Sequence, residues 1–220
     1  MSATFSKRSN EMSRGLVIGV LAMATVVVAS NILVQFLFGN WLTWGAFTYP
    51  FAFLVTDIMN RVHGVSAARK VVLAGFIVGI GCSFIGTQIM GEFGPLVTLR
   101  IAIGSGIAFL TAQLIDVTVF NSLRNSAWWR APLASTLIGS SIDTAIFFTI
   151  AFSASLTFIE PANDVSWATE GVPLLGFGPF LPLWVSLAVA DWLVKLSLAL
   201  LALVPFRILV STLSGKSQTA

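Results

Sequence analysis

The sequence alternates between long apolar runs and short polar connections. An apolar helix of about 20 residues crosses the hydrocarbon layer of a membrane, and a backbone in lipid must satisfy its own hydrogen bonds. Each long run is therefore predicted to be a membrane-spanning helix. The six runs are Gly15 to Phe38, Leu42 to Val62, Lys70 to Met90, Thr98 to Asn121, Pro132 to Ile159 and Phe180 to Leu209.

These runs predict an all-α fold, a polytopic membrane protein built as a bundle of six transmembrane helices. The predicted organisation is an N-terminal tail over residues 1–14, a transmembrane domain over 15–209 and a C-terminal tail over 210–220. The first run is too long for the core of a signal peptide and lacks a convincing small-residue cleavage site. We therefore expect it to remain as the first helix.

Basic residues collect on one side of the predicted bundle, and that side is expected to be cytoplasmic because retained loops are rich in Lys and Arg. Both termini then lie in the cytoplasm, and the long connection from Glu160 to Pro179 is an outer loop, a re-entrant cap or a linker. The basic side holds Lys7, Arg8, Arg14, Arg61, Arg69, Lys70, Arg124, Arg130, Arg207 and Lys216, and the other side holds Arg100, Glu92, Glu160, Asp164 and Glu170.

Composition supports a membrane protein and excludes several functions. The sequence is 56% hydrophobic and only 10% charged, whereas about a quarter of a soluble domain is charged. The net charge of +3 comes from basic residues scattered between apolar runs, so no nucleic-acid partner is expected. The sequence has no Gly-rich phosphate loop, His-Glu-x-x-His pair or Gly-x-Ser-x-Gly elbow. It therefore predicts no enzyme, catalytic residue, cofactor or metal site.

Polar side chains inside the predicted helices are the candidates for function. A charge near the bilayer centre costs at least about 2.5 kcal/mol on insertion scales, so each needs a partner, a water-filled cavity or a function. We expect these acids to point inward to one shared, wettable cavity. The candidates are Asp57, Gln113, Asp116, Asp143, Asp191 and Lys195, with Asn31, Gln35 and Gln88 as milder cases.

The spacing of these residues leaves structural and functional interpretations open. Asp143 and Asp191 fall near the membrane midplane. Lys195 follows Asp191 by one helical turn, so the two can form a closed ion pair or part of a binding site. Gln113 and Asp116 are three residues apart and share a helix face. They can hold two helices together through polar contacts, or they can form part of a binding surface.

The second run adds a carboxylate and aromatic rings to the candidates. Asp57 is a possible site or gate, and Arg61 lies one helical turn after it, long enough to reach the cytoplasmic interface. Trp44 and Phe47 are aromatic residues close to Asp57 in sequence. Carboxylates, amides and aromatic rings together fit a cavity for a flat polar solute, which favours a transporter.

Short motifs along the chain carry a family resemblance. Taken together, they resemble the bacterial queuosine precursor transporters, within the wider vitamin uptake transporter group. The resemblance runs from Ser30-Asn31 to Lys195 and covers most of the chain. The motifs are Trp44-Gly45-Ala46-Phe47, Pro50-Phe51, Thr56-Asp57, Ala68-Arg69, Gln113-Leu114-Ile115-Asp116, Val119-Phe120-Asn121, Trp128-Trp129-Arg130-Ala131-Pro132, Ala134-Ser135-Thr136, Asp143-Thr144 and Asp191 with Lys195.

The resemblance implies a multi-pass importer in the bacterial inner membrane that takes up 7-cyano-7-deazaguanine and 7-aminomethyl-7-deazaguanine for the queuosine modification of tRNA. A guanine-like edge offers two donors to a carboxylate, and its O6 accepts from a Lys or an amide. Asp143 or Asp116 is expected to bind the donors, Lys195 or Gln113 the carbonyl, and an aromatic ring to stack on the solute. The expected binding set is Asp57, Gln113, Asp116, Asp143, Asp191, Lys195, Asn31, Trp44 and Phe47.

Other functions fit the same sequence. The chain could be a membrane-embedded subunit that captures a vitamin-like or purine-like solute for a separate ATP-driven module, although an ATPase partner is not favoured. It could also be a scaffold that transports nothing, with its acids closed in ion pairs. The expected partners are the deazaguanine solute and the lipid bilayer. The sequence leaves open a homo-oligomer and the choice between proton-coupled and facilitated entry.

Overall fold

The computed structural model describes the backbone of residues 2–92 and 94–218 and the side chains of residues 12–92 and 94–213. Within these ranges the chain is mainly helical. The tail side chains of Lys7, Arg8 and Lys216 lie outside the described residues. The helices are α1 (Ser2–Leu33), α2 (Gly45–Thr48), α3 (Phe51–His63), α4 (Val65–Gln88), α5 (Leu99–Ser122), α6 (Arg130–Phe152), α7 (Ser166–Thr169) and α8 (Leu183–Gln218).

Five of the described helices are long and apolar enough to cross a membrane. These segments expose large apolar side chains, including Ile18, Ile77 and Leu201, outward from the bundle. Such surfaces suit lipid, so the chain is a polytopic helical membrane protein. The five segments are Met12–Leu33, Val65–Gln88, Leu99–Ser122, Arg130–Phe152 and Leu183–Leu213.

The second predicted run is not one continuous helix, which corrects the sequence prediction. It begins as strand β2 (Leu42–Thr43), continues as α2 and then becomes α3. Pro50 separates the two helices because it has no N–H to donate. Tyr49 and Pro50 still have right-handed helical backbone angles, so the chain continues in nearly the same direction through the break.

Short antiparallel hairpins follow several helices and were not predicted. The first run ends as a helix at Leu33, before its predicted end, and strand β1 (Leu37–Phe38) pairs with β2. Strands β3 (Met90–Gly91) and β4 (Gly94–Pro95) join α4 to α5. The long connection contains α7 and the pair β5 (Gly171–Pro173) and β6 (Phe180–Pro182), so it has secondary structure of its own.

Helix connectivity gives the bundle two chemically different ends. The hairpin end carries the three strand pairs, and there the buried Arg100 donates to the carbonyls of Ile150 and Ser153 at 2.9 and 2.6 Å. At the other end the Arg61 side chain donates to the carbonyl of Arg124 at 2.7 Å. The Arg124 side chain in turn donates to the carbonyl of Arg61, also at 2.7 Å. These contacts satisfy carbonyls at helix C-termini and fix neighbouring helix ends together.

The apolar core lies between α1, α3, α4 and α5, where Met23, Val27, Ala52, Val71 and Phe109 are buried. Helices α5 and α6 form the most extensively packed pair. Gly139 of α6 lies in close contact with both α3 and α5. A Cβ atom at this position would lie 2.8 Å from the Phe53 ring and 3.3 Å from the carbonyl oxygen of Ala112.

Gly139→Ala is expected to lower the free energy of unfolding by about 1–3 kcal/mol, because the added methyl group overpacks the contact between α5 and α6. Gly81→Ala is the matched control, since a Cβ at Gly81 meets nothing within 4 Å. It should leave stability unchanged or raise it by up to about 1 kcal/mol through helix propensity. Denaturation midpoints of the purified variants test this prediction, and equal midpoints would contradict it.

Candidate functional site

A buried charged triad joins α6 to α8. The ammonium nitrogen Nζ of Lys195 lies 2.6 Å from an oxygen of Asp143 and 2.6 Å from an oxygen of Asp191. The Lys195 and Asp143 side chains are 4% and 5% exposed, and that of Asp191 is 14% exposed. The Asp191 and Lys195 side chains therefore form an ion pair within α8. This pair is not isolated, because Lys195 also contacts Asp143 on α6.

Neutral hydroxyl groups complete the coordination of the triad. Tyr49 donates to the second oxygen of Asp143 at 2.8 Å, and its ring centroid is 5.2 Å from Lys195 Nζ. Thr144 accepts from Lys195 at 3.0 Å and donates to Asp191 at 2.9 Å. Each charged group of the triad therefore has at least two partners.

One cation and two carboxylates leave the triad with one excess negative charge. Removing charges from water costs several kcal/mol per ion, which is offset only by close pairing and additional hydrogen bonds. Asp143, Asp191 and Lys195 satisfy one another in the present conformation. A solute can enter this centre only if it replaces the hydrogen bonds that it breaks.

A second polar centre, the acid pair, joins α3 to α5. Asp57 and Asp116 are both buried and lie against the same stretch of α6. Ser135 and Thr136 of α6 donate to the two oxygens of Asp57 at 3.2 and 3.3 Å, and a Cβ atom at Gly139, one turn after Ser135, would lie 3.4 Å from the Cβ of Asp116. Within the described part of the chain, no group donates to either oxygen of Asp116. Among the described residues, neither acid forms an ion pair with a basic side chain.

Buried amides surround the acid pair. Gln113 lies one turn before Asp116, and its carbonyl oxygen accepts from Thr56 at 2.6 Å. Its amide nitrogen has no acceptor. Asn60, three residues after Asp57, donates to the carbonyl of Val117 at 3.0 Å, while its own carbonyl oxygen is unsatisfied. This part of the interior therefore holds unused donors and acceptors.

Two cavities reach these centres from different sides. The larger, about 270 Å³, lies between α3, α6 and α8 and is lined by Asp57 and Thr136 among mainly apolar residues. The smaller, about 50 Å³, lies between α1, α4 and α5 and is lined by Asn31 and Tyr49. Tyr49 therefore connects the smaller cavity with the triad.

The structure divides the predicted residues between the two centres rather than placing them around one cavity. The expectation of a single shared cavity is therefore wrong for this conformation. The acids divide in this way because Lys195 attracts both Asp143 and Asp191, whereas Asp57 lies with Asp116. Gln113 and Asp116 are both buried on the face of α5 that was predicted to be polar.

The predicted aromatic residues lie away from the charges. The Trp44 and Phe47 rings pack against Phe38 at centroid distances of 4.9 and 5.1 Å, and Trp44 is 48% exposed. This aromatic cluster is at the hairpin end. Asn31 donates to the carbonyl of Val27 at 2.9 Å and lines the smaller cavity.

The predicted binding set left out the hydroxyl groups that support both centres. Tyr49 is the single tyrosine of the chain and directly precedes Pro50 inside an apolar run, a signal that could have marked it. Ser135, Thr136 and Thr144 occur in the motifs of the family resemblance but were given no role, and Thr136, seven residues before Asp143, lies on the same face of α6.

Asp143→Asn and Lys195→Gln are each expected to lower the free energy of unfolding by about 3–5 kcal/mol, because each leaves a buried charge with too few partners. The double variant should lose less than the sum of the two by about 0.5–3 kcal/mol. Denaturation midpoints of the four proteins measure this coupling. Additive losses would show that the pair contributes no coupling.

Comparison with known proteins places the chain in a family. The family model described as "Putative vitamin uptake transporter" matches residues 43–210. These residues include α2 to α6, most of α8 and every member of both polar centres. No solved structure matches the chain at a significant level.

Curated relatives carry one functional name. The "Queuosine precursor transporter" of Escherichia coli (strain K12) is 43% identical over 141 residues, covering 58% of this chain and 64% of the relative. The "Probable queuosine precursor transporter" of Haemophilus influenzae is 35% identical over 175 residues, covering 74% and 66%. That of Bacillus subtilis (strain 168) is 27% identical over 187 residues, covering 76% and 71%.

The matches span 64% and 66% of the length of the first two relatives, which is less than two thirds of each. The family model extends over more than half of the present chain and contains its buried charges. The chain therefore belongs to the vitamin uptake transporter family, whose members are membrane transporters and not enzymes.

Proposed function

We propose that the chain imports the queuosine precursors 7-cyano-7-deazaguanine and 7-aminomethyl-7-deazaguanine across the bacterial inner membrane, for salvage into tRNA. The names of three curated relatives support this substrate class. The observation that carries the proposal is the buried triad of Asp143, Asp191 and Lys195, which places a carboxylate beside an ammonium group inside the membrane.

The chemistry of a deazaguanine matches Asp143 and Lys195. The N1–H and exocyclic amine of the solute both donate and suit the two oxygens of one carboxylate, while its O6 accepts from an ammonium group. The solute would insert between these two side chains and replace their 2.6 Å contact with its own hydrogen bonds. Because every broken hydrogen bond is replaced, the buried charges stay satisfied.

Tyr49 supplies the aromatic surface in this proposal. Its hydroxyl binds Asp143, its ring lies beside Lys195, and it lines the smaller cavity together with Asn31. A movement of the Tyr49 ring would join that cavity to the triad and place an aromatic face against the solute. Trp44 and Phe47 then act nearer the entrance, at the hairpin end.

We also propose six membrane spans with both termini in the cytoplasm. Helices α2 and α3 together extend from Gly45 to His63, about 28 Å at helical rise, which is close to the thickness of the hydrocarbon layer. Arg61, Arg124 and Arg130 lie at the end opposite the hairpins, which agrees with the rule that positive loops stay inside.

Asp143→Asn and Asp191→Asn are each expected to reduce uptake of labelled 7-cyano-7-deazaguanine at least about tenfold, because a hydrogen bond to a charged group contributes about 1.5–3 kcal/mol. Initial uptake rates in cells, normalised to the amount of protein in the membrane, measure the effect. Normal uptake by both variants would refute the role of the triad.

Asp164→Asn is the matched control for these two variants. Asp164 is exposed in the long connection, where hydrogen bonds from Ser166 hold the pKa of its carboxyl group below its ordinary value. The substitution removes one charge without touching either polar centre and should leave uptake unchanged. Purified protein in liposomes should also transport without a separate ATPase, whereas inactivity there would favour a capture subunit of an ATP-driven system.

The proposed topology predicts which loops are reached from outside the cell. In a Cys82→Ser background, Ala162→Cys should react with a membrane-impermeant thiol reagent in intact cells, because its loop lies at the hairpin end. Asn125→Cys, between α5 and α6, should react only after the membrane is permeabilised. The reverse labelling pattern would contradict cytoplasmic termini.

A further inference from the structure

We propose that the acid pair of Asp57 and Asp116 is a proton-binding site that couples solute import to the entry of one proton. This inference rests on the proposed transport function and adds its energy source. The two carboxyl groups belong to different helices, α3 and α5, and both are buried against the stretch of α6 between Ser135 and Gly139.

A proton would complete the hydrogen bonding of the pair. Two carboxylates have only acceptor oxygens, so neither can donate to the other, and among the described residues no group donates to the fully buried Asp116. A single proton on the pair supplies the missing O–H donor and removes one of two repelling charges. The Ser135 and Thr136 hydroxyls then stabilise the remaining negative charge on Asp57.

Of the basic side chains that the structure describes, none forms an ion pair with either acid, because the nearest ones bind other groups. Lys195 is bound by Asp143 and Asp191, and Arg61 and Arg124 bind carbonyl oxygens at helix ends. With both acids ionised, the two centres would carry three excess negative charges inside the membrane. Arg100 of α5 binds carbonyl oxygens at the hairpin end. The other basic side chains that the structure describes on the surrounding helices lie at the opposite end, and they are Arg14, His63, Arg69, Lys70, Arg130 and Arg207.

Unused polar groups and a cavity give the pair the features of a binding site. The amide nitrogen of the fully buried Gln113, one turn from Asp116, has no acceptor. Asp57 and Thr136 line the 270 Å³ cavity, which offers a path for the proton between the pair and one side of the bundle. An unpartnered buried amide and access to a cavity are features that a closed structural contact would not need.

Helix α6 connects the proton site to the proposed solute site. Thr136 contacts the acid pair, and Asp143, about 10 Å further along the same helix, belongs to the triad. A change in either centre therefore acts on the position of one rigid element. The proton would bind as an O–H bond on the pair from one side of the membrane and dissociate to water on the other, with no other bond changed.

The test uses purified protein in liposomes with the membrane potential clamped at zero. A pH difference of one unit, acidic on the outside, should drive accumulation of 7-cyano-7-deazaguanine up to about tenfold. Asp116→Asn, whose amide resembles the protonated acid, should lose this accumulation and keep exchange of labelled for unlabelled solute within about twofold of wild type. Asp164→Asn should keep both activities.

The outcomes separate the coupling from the transport function. Exchange without accumulation by the wild-type protein, or accumulation driven by a sodium gradient instead, would overturn proton coupling alone. Accumulation retained by both Asp57→Asn and Asp116→Asn would remove the acid pair from the mechanism. Absence of exchange by the wild-type protein would overturn the transport function, and the coupling with it.

Infrared spectroscopy tests proton binding without any solute. At neutral pH the wild-type protein should show the carbonyl band of a protonated carboxylic acid, and Asp116→Asn should lose it while Asp164→Asn keeps it. Asp57→Asn provides a second variant if Asp116→Asn does not fold. A wild-type spectrum without this band would refute the shared proton directly.

Discussion

The structure depends on how charges are satisfied where no water can solvate them. Lys195 holds Asp143 of another helix and Asp191 of its own at 2.6 Å, and Tyr49 and Thr144 occupy the remaining positions around these groups. Because an unpaired charge in lipid is costly, these contacts fix the relative positions of α6, α8 and the break between α2 and α3. A transporter must also be able to open such contacts. A solute that carries donors and an acceptor on one edge can do so without leaving a charge unsatisfied.

The second polar centre has the opposite character. In the part of the chain that the structure describes, neither Asp57 nor Asp116 pairs with a cation, and Gln113 has an unused donor nearby. The triad is saturated, whereas the acid pair has unfilled hydrogen-bonding capacity and contact with a cavity. Helix α6 contacts both centres, through Thr136 at the acid pair and Asp143 in the triad. An exchangeable ion pair and a proton site therefore adjoin the same helix, so that filling one changes the energy of the other.

Much of this organisation could be predicted from the sequence. Length and apolarity locate five spans with ends that differ from the structure by one to seven residues, and the Asp191 to Lys195 spacing correctly placed those groups on one helix face. The break at Pro50 could not be placed between two helices from hydropathy, because apolar residues predominate on both sides of Pro50. The spacing of residues also could not reveal that Lys195 pairs with Asp143 and that Asp57 lies with Asp116, because each pairing joins helices that are far apart in the sequence. Tyr49 was not predicted as a site residue because a single hydroxyl group in an apolar run produces no periodic pattern.

A structure determined with bound 7-cyano-7-deazaguanine would show whether the solute replaces the ion pair of the triad. We expect the solute to lie between Asp143 and Lys195, with the carboxylate on its N1–H and exocyclic amine, the ammonium group on its O6 and the 2.6 Å contact between the two side chains broken. A solute bound elsewhere while Lys195 still contacts both Asp143 and Asp191 would contradict it.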